Sequence, residues 1–161
     1  MELKYSQAIK AGAIGGIIII VLILLKLVVD FLSMTVNSII VCGVCCVWVP
    51  VLVAMVAIGA LAVRFAWAGI RSLNDASISG AVAGMVAGIP ATIVMMIESI
   101  IEPILIPGMH DWYSSISNTP SAGITPLSGG LAGVCCCGPI LFVLCVVGGA
   151  IGGVIYYMIK K

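Results

Sequence analysis

The sequence contains few charged residues and few aromatic ones, and the shortage of charge decides the class of protein. Charged residues make up 8% of the 161 residues, aromatic residues 6% and hydrophobic residues 63%. Soluble domains are about 25% charged and about 45–50% apolar. The formal net charge is only +1, so the chain lacks a strongly basic surface for nucleic acid. These shortages exclude a soluble fold, a nucleic-acid-binding domain and a disordered tail, and they leave an integral membrane protein.

Alternation of polar and apolar residues, which is typical of a membrane β-barrel, is also lacking. Apolar residues run without interruption instead, as they do over residues 17–25. A membrane-spanning helix needs about 20 apolar residues. Four stretches are long enough, at about 9–32, 47–70, 78–101 and 136–158. The sequence therefore predicts an all-α integral membrane protein with four transmembrane helices.

Lysine and arginine are missing from two of the connections between the predicted helices. Connections 33–46 and 102–135 contain neither residue, whereas cations precede the first helix, follow the second and close the chain. The positive-inside rule places the cation-rich ends in the cytoplasm. We therefore expect a multi-pass protein of the cytoplasmic membrane whose two termini and 71–77 turn are cytoplasmic.

Matching positions in the two halves of the chain predict an internal duplication. They are Gly12 with Gly80, Asp30 with Glu98, and Gly-Val-Cys-Cys at 43–46 with the same residues at 133–136. The halves, residues 1–70 and 71–161, are then two parallel helical-hairpin repeats, and we expect an axis along the membrane normal to relate them. The second repeat contains the longer outer loop, 102–135, whose proline, glycine and serine content predicts irregular structure.

Glycine residues recur at four-residue spacing along the predicted helices. Small residues at this spacing give flat helix faces where backbones approach closely, which drives helix association in lipid. The residues concerned are Gly12, Gly16, Gly80, Gly84, Gly88, Gly148 and Gly152. Packing within one four-helix bundle explains such faces. The alternative is that one face docks a partner, and the face of the third helix is the first candidate.

Ionisable residues inside a membrane span indicate function by default. Lys26 and Asp30 are four residues apart on one face of the first helix, so they can pair, and Glu98 takes the equivalent place on the third helix. The two acids fall at the outer edge of the hydrocarbon core, where anchoring at the interface is inexpensive. Interface anchoring or an inter-helix ion pair is one interpretation, and a cation or proton path is the other.

Six of the seven cysteines flank the outer starts of the second and fourth helices, just before Pro50 and Pro139, which are predicted to open these helices. Three interpretations of these cysteines are open. They are small apolar residues, they form disulfides between the repeats, or they are thiolate ligands for zinc or copper(I). The expected disulfide joins one cysteine of the Cys45 and Cys46 pair to one of the Cys135 and Cys136 pair. No metal site is assigned. The six candidates are Cys42, Cys45, Cys46, Cys135, Cys136 and Cys137.

The segment Cys42-Gly43-Val44-Cys45 has the Cys-x-x-Cys form at the outer start of the second helix. In this motif and in its four-helix topology the chain resembles the quinone-linked thiol oxidases that make disulfides. The resemblance implies an outer-face thiol–disulfide oxidase that passes electrons to a quinone. It covers the topology and Cys42 and Cys45 only, because the second cysteine pair is not separated along the loop and no arginine follows the motif.

No catalytic constellation can be assembled from the other residues, and the single histidine, His110, falls in the outer loop. The sequence therefore favours a non-catalytic protein without a cofactor, which acts as an accessory or assembly subunit of a larger membrane complex or as a homo-oligomer. Its expected partners are membrane lipid and other membrane subunits or further copies of itself. A small cation or proton channel or transporter is the first alternative, and the thiol oxidase is the second.

Overall fold

The computed structural model describes residues 2–35, 40–105 and 126–161. Over these ranges the chain forms four long helices and no strand. A single 3-10 turn, Trp67–Gly69, lies between the second and third helices. The helices are α1 (Glu2–Thr35), α2 (Ile40–Phe65), α3 (Leu73–Leu105) and α4 (Pro126–Lys160). The predicted all-helical class is confirmed.

Each helix contains a segment that is long and apolar enough to cross a bilayer. The four segments are Ser6–Val29, Trp48–Phe65, Leu73–Ile101 and Gly138–Lys160. Large apolar side chains are exposed along every helix, as expected where the surroundings are lipid rather than water. These features support the predicted multi-pass membrane protein with four spans.

Helix α4 begins at Pro126, well before residue 136, where the sequence predicted its start. Residues 126–135 are therefore helical and not part of an irregular loop. Proline suits the first turn of a helix because its missing N–H would have no acceptor within the helix there. Residues 102–105 of the predicted loop belong to α3, and residues 106–125, with His110, lie outside the described residues.

Pro50 and Pro139 lie inside α2 and α4, so the prediction that they open these helices is wrong. The two cysteine groups consequently belong to helices and not to separate interfacial segments. A proline inside a helix removes one backbone hydrogen bond. Transmembrane helices tolerate this loss because neighbouring helices and local adjustments satisfy the freed carbonyl.

The first helices of the two hairpins, α1 and α3, are neighbours in the bundle, and so are the second helices, α2 and α4. Around its circumference the order is α1, α2, α4 and α3, and the contact between α3 and α4 is the most extensive. Helices α1 and α3 run parallel, because Gly12 lies against Ala83 and Gly16 against Ala87. Helices α3 and α4 run antiparallel, because Gly80 lies against Gly149 whereas the later residue Gly84 lies against the earlier residue Cys145.

This order does not fit the predicted axis between the two hairpins. A two-fold axis that exchanges α1 with α3 and α2 with α4 would pass midway between both pairs, and only one pair can be in contact across a single line. In the structure α1 packs on α3 and α2 packs on α4, whereas the described residues of α1 and α4 make no comparable contact. The hairpins therefore lie side by side, with α1 against α3 and α2 against α4. The duplication itself stays a prediction.

Small side chains fill the interior of the bundle and bring the helix backbones together. The buried alanines are Ala8, Ala11, Ala62, Ala66, Ala76, Ala83, Ala87 and Ala91. Gly148 and Gly152 face α2, and a Cβ atom at Gly152 would overlap the carbonyl oxygen of Val56. Gly80, Gly84 and Gly88 all face α4. The face of the third helix that the sequence offered to a partner is thus covered by the protein's own fourth helix.

Replacing Gly152 by alanine should destabilise the bundle more than replacing Gly88. The new Cβ of Gly152→Ala meets backbone, which cannot move without separating α2 from α4, so we expect a loss of about 1–3 kcal/mol. The Cβ of Gly88→Ala would lie 3.1 Å from the Cβ of Cys145 and 3.2 Å from the Phe142 ring, and these side chains can shift. Reversible unfolding in detergent micelles measures both. Equal losses in the two variants would show that backbone contact is not the limiting constraint.

Candidate functional site

Lys26 of α1 and Glu98 of α3 form an ion pair across the interface between the two parallel helices. The Nζ atom of Lys26 donates a hydrogen bond to Oε1 of Glu98 over 3.1 Å. The side chain of Lys26 is 16% exposed and that of Glu98 is 5% exposed. The structure therefore brings together two of the three ionisable residues that the sequence singled out. The side chain of the third, Asp30, lies outside the described part of the chain.

The packing of α1 on α3 explains why these two side chains meet. The contacts of Gly12 with Ala83 and of Gly16 with Ala87 set a parallel register, and continuing that register along both helices brings Lys26 next to Glu98. Glu98 also shares a buried face of α3 with Ala91 and Met95, at the spacing of helical turns. The carboxylate is therefore directed into the bundle by the same face that makes the close contact.

The ion pair lies near the ends of two spans. Lys26 is close to the end of Ser6–Val29, and Glu98 is close to the end of Leu73–Ile101. Beside it, the Ser99 hydroxyl donates a hydrogen bond to the carbonyl oxygen of Met95 over 2.9 Å, so this polar group is satisfied within its own helix. The pair thus occupies one end of the bundle, which the distribution of cations predicts to be the outer end.

Burial determines what this pair can do. Two opposite charges attract more strongly in a medium of low dielectric constant than in water. Removing one partner leaves a buried charge without its counter-charge, which costs far more than the net contribution of the intact pair. The geometry therefore supports a contact that holds α1 and α3 in one register.

Two cysteine thiols are described, and both are free. Cys135 is exposed and Cys145 is buried against Gly84 and Gly88 of α3. The expected bond from the Cys45–Cys46 segment to the Cys135–Cys136 segment is therefore not formed at Cys135. The side chains of the other five cysteines lie outside the described part of the chain. Cys145 acts as a small core residue, since it occupies space that two glycines leave open.

The described side chains do not assemble a metal centre. Among the residues whose side chains the structure describes, no group of three histidine, cysteine, aspartate or glutamate residues is close enough to hold an ion. Of the six cysteines in the zinc or copper interpretation, only Cys135 has a described side chain, so that interpretation stays a prediction.

Aromatic and cationic side chains form a cluster at the opposite end of the bundle. The ring of Trp67, in the 3-10 turn, lies 6.0 Å from the ring of Tyr156 at an angle of 80°, and 6.0 Å from that of Tyr157. The Nζ atom of Lys160 is 4.9 Å from the centre of the Trp67 ring, a cation–π distance. The contact of these aromatic rings with Lys160 depends on the fold, because Trp67 lies far from α4 in the sequence.

Helix α3 has a well-defined start beside this cluster. The Ser72 hydroxyl accepts a hydrogen bond from the backbone N–H of Asp75 over 3.1 Å, as an N-cap residue does. The carboxylate of Asp75 accepts one from the backbone N–H of Arg71 over 3.3 Å. These bonds fix the backbone of Arg71 at the entrance of the helix.

Comparison with known proteins assigns neither the ion pair nor the aromatic cluster. The chain matches no protein-family model, no curated protein and no solved structure. A functional conclusion must therefore rest on the geometry of the described residues.

Exchanging Glu98 for glutamine should destabilise the bundle by about 3 kcal/mol, because the partly buried Lys26 ammonium loses the negative charge of the Glu98 carboxylate. Exchanging both residues, as Lys26→Met with Glu98→Leu, should restore most of the stability, since it buries no charge. Unfolding of the single and double variants in one detergent measures both effects. If the double variant is no more stable than Glu98→Gln, the two side chains do not act as a pair.

The two free thiols should differ sharply in reactivity. In variants that retain one cysteine each, a membrane-impermeant maleimide should label Cys135 on intact cells, whereas Cys145 should react only after denaturation. Mass analysis of the purified chain gives the labelled fraction. Labelling of Cys135 only after the cells are permeabilised would contradict the predicted orientation, and rapid labelling of native Cys145 would contradict its burial.

Proposed function

We propose that the chain is a non-catalytic membrane protein that acts as a rigid four-helix assembly subunit, either in a larger membrane complex or in a homo-oligomer. The main support for this proposal is that Lys26 and Glu98 pair with each other across a helix–helix contact. These two charged residues thus contribute to holding α1 against α3. We further propose that the protein resides in the cytoplasmic membrane with both termini on the cytoplasmic side, as the distribution of cations indicates.

Rigidity supports an assembly role. Backbone contacts at Gly59, Gly149 and Gly152 join α2 to α4, and those at Gly80 and Gly84 join α3 to α4. A body held together in this way keeps its outer surface constant, which a neighbouring subunit requires. Because the glycine faces are used internally, the surfaces left for a partner are those formed by large apolar side chains, which on α1 include Ile14, Ile17, Ile18 and Val21.

Transport is the alternative that the ion pair bears on most directly. A cation path needs a carboxylate that can bind the passing ion and release it again. The carboxylate of Glu98 is held by the Lys26 ammonium at 3.1 Å, so a second cation would have to compete with a resident one. This arrangement favours the structural role over the cation path.

The thiol oxidase remains the enzyme alternative and depends on Cys42 and Cys45. Its discriminating property is redox cycling of these two thiols with a quinone, which an assembly subunit would not show. The free, exposed Cys135 and the free, buried Cys145 do not supply a second disulfide to that chemistry.

Extraction from its native membrane in a mild detergent should yield the protein in a particle larger than one chain of 16.6 kDa. The expected result is co-purification with other membrane subunits, or a protein mass that is a multiple of the chain, measured by light scattering with the detergent mass subtracted. The same sample in a denaturing detergent is the control and should return to a single chain. A strictly monomeric particle without co-purifying chains would contradict the proposal. A cation leak in liposomes that Asp30→Asn with Glu98→Gln abolishes would favour transport instead.

A further inference from the structure

A groove opens at the end of the bundle that contains the aromatic cluster. One wall comes from the start of α3 and the other from the end of α4. Its lining residues are Arg71, Ser72, Leu73, Tyr157, Met158 and Lys161. The groove lies at the limits of two spans, since one begins at Leu73 and the other ends at Lys160. In a membrane it would therefore face the headgroup layer.

The two walls each bring one cation to the groove. Arg71 stands on the α3 side and Lys161 on the α4 side, although they are far apart in sequence. Contacts on both sides fix these positions: the backbone N–H of Arg71 is bonded to Asp75, and that of Lys161 donates to the carbonyl oxygen of Tyr157 over 3.2 Å. The Nζ atom of Lys161 is also 5.9 Å from the centre of the Tyr157 ring. The carboxylate of Asp75 is an acidic group close to Arg71, and it accepts the hydrogen bond from the backbone N–H of Arg71.

The groove also has an apolar part on the side of the spans. Leu73 is 43% exposed and Met158 is 65% exposed, although both are large apolar side chains. The Ser72 and Tyr157 side chains add hydroxyl groups that can donate hydrogen bonds. Cations, hydroxyls and apolar side chains thus line one groove, and an amphipathic anion carries groups that match all three.

The geometry points to a binding site for an anionic phospholipid in this groove. The guanidinium of Arg71 and the ammonium of Lys161 bind the headgroup phosphate, as such groups do in charge-assisted hydrogen bonds. Leu73 and Met158 contact the start of the acyl chain. The apolar side chains select a lipid over free phosphate, which would leave them exposed to water.

Phosphatidylglycerol is the probe for this site, with phosphatidylcholine as the zwitterionic comparison. Native mass spectrometry of the full chain, released from micelles that contain one lipid or the other, measures the affinity for the first bound lipid. Each lysine or arginine near an anionic lipid strengthens binding about fivefold. The double variant Arg71→Gln with Lys161→Gln should therefore bind phosphatidylglycerol about 25-fold more weakly, and phosphatidylcholine unchanged.

The matched control removes the same charge elsewhere at the same end of the bundle. Arg64 and Lys10 are exposed and do not line the groove, so Arg64→Gln with Lys10→Gln should retain the affinity within about twofold. All variants are compared at equal thermal stability, which exposed substitutions should preserve. An equal loss in the control pair would overturn the site in favour of non-specific attraction. Displacement of the lipid by millimolar inorganic phosphate would overturn the lipid assignment in favour of a free anion.

Discussion

Close approach of helix backbones at glycine residues is the constraint on which the rest of this structure depends. Lipid gives helices no hydrophobic reason to associate, so packing at small residues must supply the stabilisation. At Gly59, Gly84 and Gly152 a Cβ atom would overlap the backbone of the facing helix. Such contacts allow only one register, because sliding a helix brings a larger side chain into the space. The positions of the charged and aromatic side chains follow from that register.

The Lys26–Glu98 pair shows what the register adds to the sequence. A pairing of Lys26 with Asp30 could be predicted from their spacing on one helix, whereas a partner on another helix requires knowledge of how the two helices align. The predicted duplication aligned Glu98 with Asp30, whereas the packing of Gly12 on Ala83 brings Lys26 to Glu98. An alignment of two positions in the sequence does not say which side chains are in contact.

The fold class and the four spans could be predicted because both depend on the length and polarity of continuous segments. The ends of the helices were predicted less accurately. Pro50 and Pro139 were expected at helix starts, whereas both lie within helices. Proline has the same sequence signature in both places. What distinguishes them is whether a neighbouring helix can satisfy the freed carbonyl, which is a property of tertiary structure. The order of the helices around the bundle could not be predicted either, because an apolar helix face does not specify which other face it packs against.

The cations at the opposite end follow from topology and packing together. The positive-inside rule gathers lysine and arginine at one side of the membrane, so each cation by itself indicates only orientation. The fold then separates them into groups. Trp67 and Tyr156 hold Lys160 against their rings, whereas Lys161 lies across a groove from Arg71. The 3-10 turn at Trp67–Gly69 places the Trp67 ring beside Lys160, which the distribution of cations alone does not indicate. The distribution of cations thus predicts the side of the membrane, whereas the packing of α3 against α4 determines which cations share a groove.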